Sequence, residues 1–166
     1  MQVGVIGSNS SQCSEELYDF ALKLGESLAH KGYTIINGGM HGVMEAVSKG
    51  AKNSLNNQSR VVGILPSANK EEANEYLDII IPTNSGLARN YQVVLASDVL
   101  IALGGGAGTL NEISYAWQCN KKVFCYTATE GWSSKLANTN LDSRRENLLI
   151  GFESIEELLI LLENNG

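Results

Sequence analysis

The stretch Asp98–Glu112, DVLIALGGGAGTLNE, decides how the chain folds. Val99 to Leu103 are apolar without the alternation of a half-exposed strand, so they read as a strand covered on both faces. Gly104, Gly105, Gly106 and Gly108 then empty the corner of side chains. From Gly108 the segment GTLNEISYAWQCN takes on helical spacing. A buried strand that turns through glycine into a helix is half of a βαβ crossover, and such crossovers build parallel sheets.

The same unit recurs on both sides. QVGVIG (2–7) is a strand, and SEELYDFALKLGESLAHKG (14–32) is a helix with Leu17, Phe20, Ala21, Leu24 and Leu28 on one face. Ser14 is placed to cap it, Glu15 and Glu16 suit its first turn, and Gly32 ends it. YTIIN (33–37) and RVVGILP (60–66) are strands around the helix GVMEAVSKGAKN (42–53). A short helix at KEEANEY (70–76) precedes the strand DIIIP (78–82), and GLARNYQVVLAS (86–97) is a helix with Ser85 as its cap. KKVFCYT (121–127) and NLLIGF (147–152) are strands on either side of an aperiodic segment, 128–146, that holds at most a short helix. SIEELLILLENN (154–165) is a last helix, opened by the capping box Ser154-x-x-Glu157. The expected fold is α/β: a doubly wound, Rossmann-like parallel sheet with helices on both faces, in a single domain over 1–166.

Composition narrows the function. The 166 residues are 43% apolar and 18% charged, which suits one globular domain. Cys13, Cys119 and Cys125 form no CxxC pair and fit a reducing compartment, and Cys125 within KVFCYT reads as buried and inert. The N-terminal residues show no signal-peptide core, and the longest apolar run, Leu158–Leu162, is far too short for a bilayer. The expectation is a cytoplasmic protein with no membrane contact. With a net charge of -6 and no basic run longer than Arg144–Arg145, no nucleic-acid partner is expected. Beyond about 8 Å that charge is screened, so binding of an anion depends on local donors.

Those donors are where a parallel sheet binds ligands, beyond the carboxyl ends of its strands. Three loops qualify: Gly7–Gln12 (GSNSSQ), Asn37–Met44 (NGGMHGVM) and Gly104–Thr109 (GGGAGT). Each joins a strand to a helix N-terminus, whose free N–H groups and positive partial charge attract anions. The expected ligand is a small molecule bearing a phosphate. No lysine follows these glycines as a P-loop requires. Thr109 breaks the dinucleotide fingerprint, and KKVFCYT has no acidic residue to hold a ribose. The motifs therefore argue against NAD and against ATP hydrolysis.

Thr109 and Glu112 share a helical face. Thr109 offers a hydroxyl to a phosphate, while Glu112 either faces the ligand or simply complements the helix N-terminus. Arg89 clamps an anion, pairs with Glu112, or lies exposed on the surface. His41 reads as a loop residue, and two histidines give no metal-binding spacing. Trp117 and Trp132 read as packing or interface residues rather than a stacking platform. No Ser-His-Asp or Cys-His nucleophile can be assembled.

GGMHGVMEAVSKGA, GLARN and GGGAGTLNEISYAW resemble the three signature blocks of the Lonely Guy-like Rossmann superfamily, over nearly the whole chain. The nearest branch is the short one of molybdenum cofactor carrier proteins. The resemblance implies a non-catalytic carrier that binds and protects the molybdenum cofactor (molybdopterin). It implies a homo-oligomer, a dimer or tetramer, with molybdoenzymes as recipients and no protein ligand to the metal. The cofactor's phosphate would sit on the N–H groups of Gly105–Thr109 and Gly39–Val43, and its pterin near Ser8–Ser10. The binding residues so implied are Gly7, Ser8, Asn9 and Ser10; Gly38, Gly39, Met40, Gly42, Val43 and Met44; Arg89 and Asn90; and Gly104, Gly105, Gly106, Ala107, Gly108, Thr109 and Glu112.

A second branch implies the alternative, a phosphoribohydrolase that cleaves the N-glycosidic bond of nucleoside 5′-monophosphates with Arg89 and Glu112 as catalytic residues. Its last block reads PGGxGTxxE and follows an Arg-Lys pair. Here the Pro is Gly104 and the Lys is Asn90. The label "possible lysine decarboxylase" often given to the superfamily has no chemical support, because no lysine has a recognisable pyridoxal-phosphate setting. Apolar residues in SYAW (114–117) suggest a self-association face.

Overall fold

The computed structural model describes residues 1–55 and 58–164. Its strands are β1 Gln2–Gly7, β2 Thr34–Asn37, β3 Val61–Leu65, β4 Ile79–Pro82, β5 Val99–Leu103, β6 Val123–Tyr126 and β7 Leu149–Phe152. The helices are α1 Glu15–His30, α2 Val43–Asn53, α3 Arg89–Ala96, α4 Ala107–Gln118, α5 Trp132–Leu136 and α6 Ile155–Glu163. All strand pairs are parallel, in the order β4-β3-β2-β1-β5-β6-β7. This is the expected doubly wound α/β fold.

The unbroken apolar run of β5 now has its reason. Val99, Ile101 and Leu103 join one core with Val3 and Val5 of β1 and with apolar residues of α1, α2 and α6. Leu100 and Ala102 point the other way, into a core with Ile6, Val93 and Val94 of α3, and Ile113, Ala116 and Trp117 of α4. Successive residues of a strand face opposite sides, so a strand between two cores must be apolar throughout. The winding reverses between β1 and β5. Crossovers leave these neighbours in opposite directions, which opens a crevice beyond their carboxyl ends.

Helices α1 and α2 touch backbone to backbone. A Cβ on Gly25 would overlap the Val47 carbonyl, and one on Gly50 would overlap the Leu22 carbonyl. Glycine is needed at both because the two helices cross with no room for a methyl group. Ser14 caps α1 as expected, its Oγ accepting from the Leu17 N–H at 3.2 Å.

Some expected elements differ. The helix over 86–97 begins with a separate 3-10 turn, Gly86–Ala88, before α3 starts at Arg89. Ser85 does not cap it; its hydroxyl lies 2.6 Å from Thr83 Oγ1 instead. The helix at 70–76 is one 3-10 turn, Lys70–Glu72, because Ala73 turns extended. Ser154 accepts from the Glu157 N–H, but the Glu157 carboxylate accepts from the Glu153 N–H, one residue before the cap. Helix α6 ends at Glu163, and the expected extension to Asn165 lies outside the described residues.

Half of SYAW is covered by the protein itself, while the half-buried Tyr115 packs against Tyr91, their ring centres 5.0 Å apart. Ala116 and Trp117 are buried in their own core, and the Trp117 indole N–H donates to Asp142 at 3.2 Å. The exposed large apolar side chains lie elsewhere, with Leu87, Tyr91 and Leu95 together at and just before α3. Cys125 is buried, which pushes its thiol up to about 12 and leaves it unreactive. No helix among the described residues is long and apolar enough to cross a membrane.

Gly50→Ala forces α1 and α2 apart and should cost on the order of 2–3 kcal/mol, a fall of about 5–10 °C in melting temperature. Gly108→Ala adds its methyl group to open space at the start of α4 and should leave the melting temperature unchanged or slightly raised. Thermal unfolding followed by circular dichroism checks both.

Candidate anion-binding site

Ser8 ties the three glycine-bearing loops together. Its N–H donates to the Leu103 carbonyl at 3.1 Å, and its carbonyl accepts from the Val43 N–H at 3.0 Å. Its hydroxyl accepts from the Gly105 N–H at 2.9 Å. Ser133 holds the other side of the glycine loop. Its Oγ accepts from the Gly104 N–H at 2.8 Å and donates to the Tyr126 carbonyl at 2.7 Å. Asn37 organises the second loop by accepting from the Gly39 N–H at 2.7 Å and donating to Ser48 Oγ at 2.9 Å. All three polar side chains are buried, so their hydrogen bonds satisfy groups that water cannot reach.

Above these clamps lies a hollow of about 580 Å³ at the β1/β5 switch point. The first turn of α4 opens into it. Leu110 N–H makes the first helical bond, to the Gly106 carbonyl, which leaves the amides of Gly106 to Thr109 at the open end of the helix. Arg89, at the start of α3, enters from the opposite side, and its guanidinium lies where a Cβ on Gly38 would be. The guanidinium thus packs directly on the Gly38 backbone.

Arg89 and Glu112 are the charged pair of this hollow. Their side chains are 11% and 8% exposed, and Nη1 lies 3.9 Å from Oε1, beyond hydrogen-bonding distance. The buried Arg89 Nε has no hydrogen-bond partner among the described residues. Burial pushes the Glu112 carboxyl up to about 7 against the opposing pull of Arg89. Burial also lowers the Arg89 pKa, with Glu112 opposing, although a guanidinium stays charged at any physiological pH. A buried, under-partnered cation beside open helix amides is prepared for an anion.

The structure brings thirteen of the residues proposed from sequence to this hollow. Gly7, Asn9 and Ser10 come from the first loop, and Gly38, Met40 and Met44 from the second. Arg89 and Asn90 come from α3, and Gly106, Ala107, Gly108, Thr109 and Glu112 from α4. The other six are not part of its lining. Gly39, Val43 and Gly105 spend their N–H groups on Asn37 and Ser8, as described, and Gly104 spends its own on Ser133. Gly42 packs so closely that a Cβ would strike the Ser8 carbonyl, and Ser8 itself is 2% exposed.

Gln12, His41 and Leu87 line the hollow without having been singled out as binding residues. His41 Nδ1 lies 2.8 Å from Glu45 Oε2, an i,i+4 placement that sequence spacing alone allowed. Asn90, where the phosphoribohydrolase pattern has a lysine, donates its side-chain N–H to Asn111 Oδ1 at 3.0 Å and links α3 to α4.

Residues 1–159 match the model of the SLOG cluster4 family. The chain belongs to that family. It is similar to a molybdenum cofactor binding protein from Rippkaea orientalis, with 34% identity and a TM-score of 0.86 over 98% of this chain and 95% of that one. It is 48% identical to an uncharacterised protein from Archaeoglobus fulgidus over 74% of this chain and 78% of the relative. It is 32% identical to a cytokinin riboside 5′-monophosphate phosphoribohydrolase from Mycobacterium tuberculosis, over 65% of this chain and 58% of that protein. These likenesses bear out the resemblance to Lonely Guy-like Rossmann proteins and leave this SLOG cluster4 member between a binding protein and an enzyme.

Removing the Ser8 hydroxyl strands the Gly105 N–H in the interior, so Ser8→Ala should cost about 1–3 kcal/mol in urea unfolding. Glu112 adds a pH signature. Its carboxyl binds a proton more tightly folded than unfolded, so between its ordinary value of 4.5 and about 7 the native state holds more protons. Stability should fall as pH rises through that window and level off above it. Glu112→Gln should flatten this slope, as read from unfolding midpoints at pH 5, 6, 7 and 8.

Proposed function

We propose that this protein is a carrier that binds and protects a phosphate-bearing small molecule, the molybdenum cofactor, in the hollow between Arg89 and the α4 N-terminus. The observation that carries the reading is the Arg89 side chain, buried without a hydrogen bond to its Nε and facing open amides. A terminal phosphate fits this set: the guanidinium supplies planar charged donors, and Gly106 to Thr109 supply main-chain N–H groups. A likeness to the Rippkaea orientalis protein over nearly the full length of both chains supports the choice of ligand. The cofactor's own dithiolene holds its metal, so the protein needs only to bind the phosphate and pterin and exclude solvent. In this reading the recipients are molybdoenzymes. The copies associate as a dimer or tetramer, through the exposed Leu87, Tyr91 and Leu95 beside Tyr115 of SYAW.

Asn90 favours this reading over hydrolysis. It puts a neutral amide, already bonded to Asn111, where the phosphoribohydrolase pattern has a second cation. The specific observation on the other side is Glu112, whose carboxyl is held near 7 beside Arg89. A carboxyl with that value exchanges protons at neutral pH and can act in general acid–base chemistry. As a phosphoribohydrolase, the protein would add water across the N-glycosidic bond of a nucleoside 5′-monophosphate and release free base and ribose 5-phosphate.

Anaerobic mixing with the cofactor followed by gel filtration should recover molybdenum in the protein fraction, and Arg89→Ala should weaken retention by about tenfold or more, the scale of a lost charged contact. Free base released from AMP by the wild type and lost in Glu112→Gln would decide for the enzyme instead. Multi-angle light scattering should give a multiple of 17.9 kDa, with Leu95→Glu shifting it toward the monomer.

A further inference from the structure

A second hollow, of about 1080 Å³, opens on the other side of the glycine loop. Ser8, Gly105 and Gly106 form its floor, and the segment Thr127–Lys135 after β6 contributes most of its wall. Gln12 and Gly106 line both hollows. Gln12 and Gly106 thus stand at the boundary between them. A Cβ on Gly106 would press on Gln12 Oε1 at 2.8 Å, so glycine is what lets this side chain lie there. The Gln12 amide has no hydrogen bond within the protein among the described residues and is free to move or to bind.

The wall is fixed in place. Trp132 and Ser133 donate their N–H groups to the Gly105 and Gly104 carbonyls, both at 3.0 Å. Gly131, at φ +130, lets the chain come so close that a Cβ would strike the Gly104 backbone. The half-buried Trp132 indole stands in this wall with Lys135 Nζ 5.1 Å from its ring centre. Thr129 and Glu130 complete it, with side chains that make no hydrogen bond among the described residues. The hollow therefore combines an indole ring, with Lys135 Nζ over it, and an amide, a hydroxyl and a carboxylate that no protein group engages among the described residues.

We propose that this hollow is the ring subsite of the ligand, taking a flat bicyclic heteroaromatic ring of the pterin or purine type whose phosphate sits beside Arg89. The inference rests on the phosphate-binding reading above. The ligand crosses the loop over Gly106, the ring stacks on Trp132, and Gln12 with Glu130 reads its hydrogen-bonding edge. Trp132 thus serves as a stacking surface rather than a packing residue.

Calorimetric titration of the full chain with a pterin monophosphate, AMP and inorganic phosphate tests this. At least one ring-bearing compound should bind about tenfold or more tightly than phosphate, and the tighter of the two names the ring class. Trp132→Ala and Thr129→Trp, the second of which fills the hollow from its rim, should each weaken that compound by about tenfold. Inorganic phosphate, which occupies only the Arg89 hollow, should lose less than about twofold in both. Ring compounds that bind no tighter than phosphate, or that bind both variants as tightly as the wild type, overturn the ring subsite and leave the phosphate reading standing. A wild type that binds none of the three overturns both.

Discussion

One buried serine holds the loops at the carboxyl edge of the sheet together. Ser8 uses its N–H, its carbonyl and its hydroxyl on Leu103, Val43 and Gly105, and so joins the loops after β1, β2 and β5. A doubly wound sheet makes these loops neighbours but does not fix their spacing. The main-chain bonds of Ser8 fix it, and the glycines allow the close approach. A Cβ at Gly7 would overlap the Leu103 carbonyl, and one at Gly42 the Ser8 carbonyl. The open end of α4 and the side chain of Arg89 face each other because this joint sets the distance between their supports.

The clamp also divides the glycines into two kinds. Gly104 and Gly105, with φ of +64° and +90°, direct their N–H groups inward to Ser133 and Ser8. Gly106 and Gly108 keep theirs at the free helix end, and Gly108 has nothing near its missing Cβ. The GGGAGT loop is therefore a rigid corner followed by a short open cradle, not six equivalent donors. Rigidity matters to binding because donors already in place need no ordering when the anion arrives.

The fold was legible in the sequence because both of its periodic signals are local. β5 is apolar throughout because it lies between two cores, and α1 shows its buried face at Leu17, Ala21, Leu24 and Leu28. The candidate site was legible where glycines meet helix starts, and Arg89 with Glu112 was among the pairings the spacing allowed. Ser133 gave no signal, since its partners at Gly104 and Tyr126 depend on how a segment without periodicity returns to the loop. That Trp132 of the same segment lines a hollow beside the glycine loop gave no signal for the same reason. Four of the six proposed residues outside the hollow are glycines and share one cause. A glycine that faces a ligand and a glycine that faces a neighbouring backbone look alike until the tertiary contacts are known.

Electrostatics at Arg89 connects this architecture to the proposed role. A catalytic site must stabilise charge that develops in the transition state more than charge already present in the ground state. A holding site needs the reverse, a fixed charge matched to a fixed anion. Arg89 lies buried against the Gly38 backbone, and Glu112 approaches without hydrogen-bonding it. Asn90 adds no second cation, because its amide is committed to Asn111. Under the proposed function Glu112 adapts to the ligand's charge. An arriving phosphate adds negative charge beside a carboxyl already near 7 and favours its protonated form. The buried pair then carries a net positive charge toward the anion, so binding itself makes the pocket more complementary to what it holds. Phosphate binding should accordingly take up a proton near neutral pH, a coupling that follows from the burial of Glu112 in either functional reading.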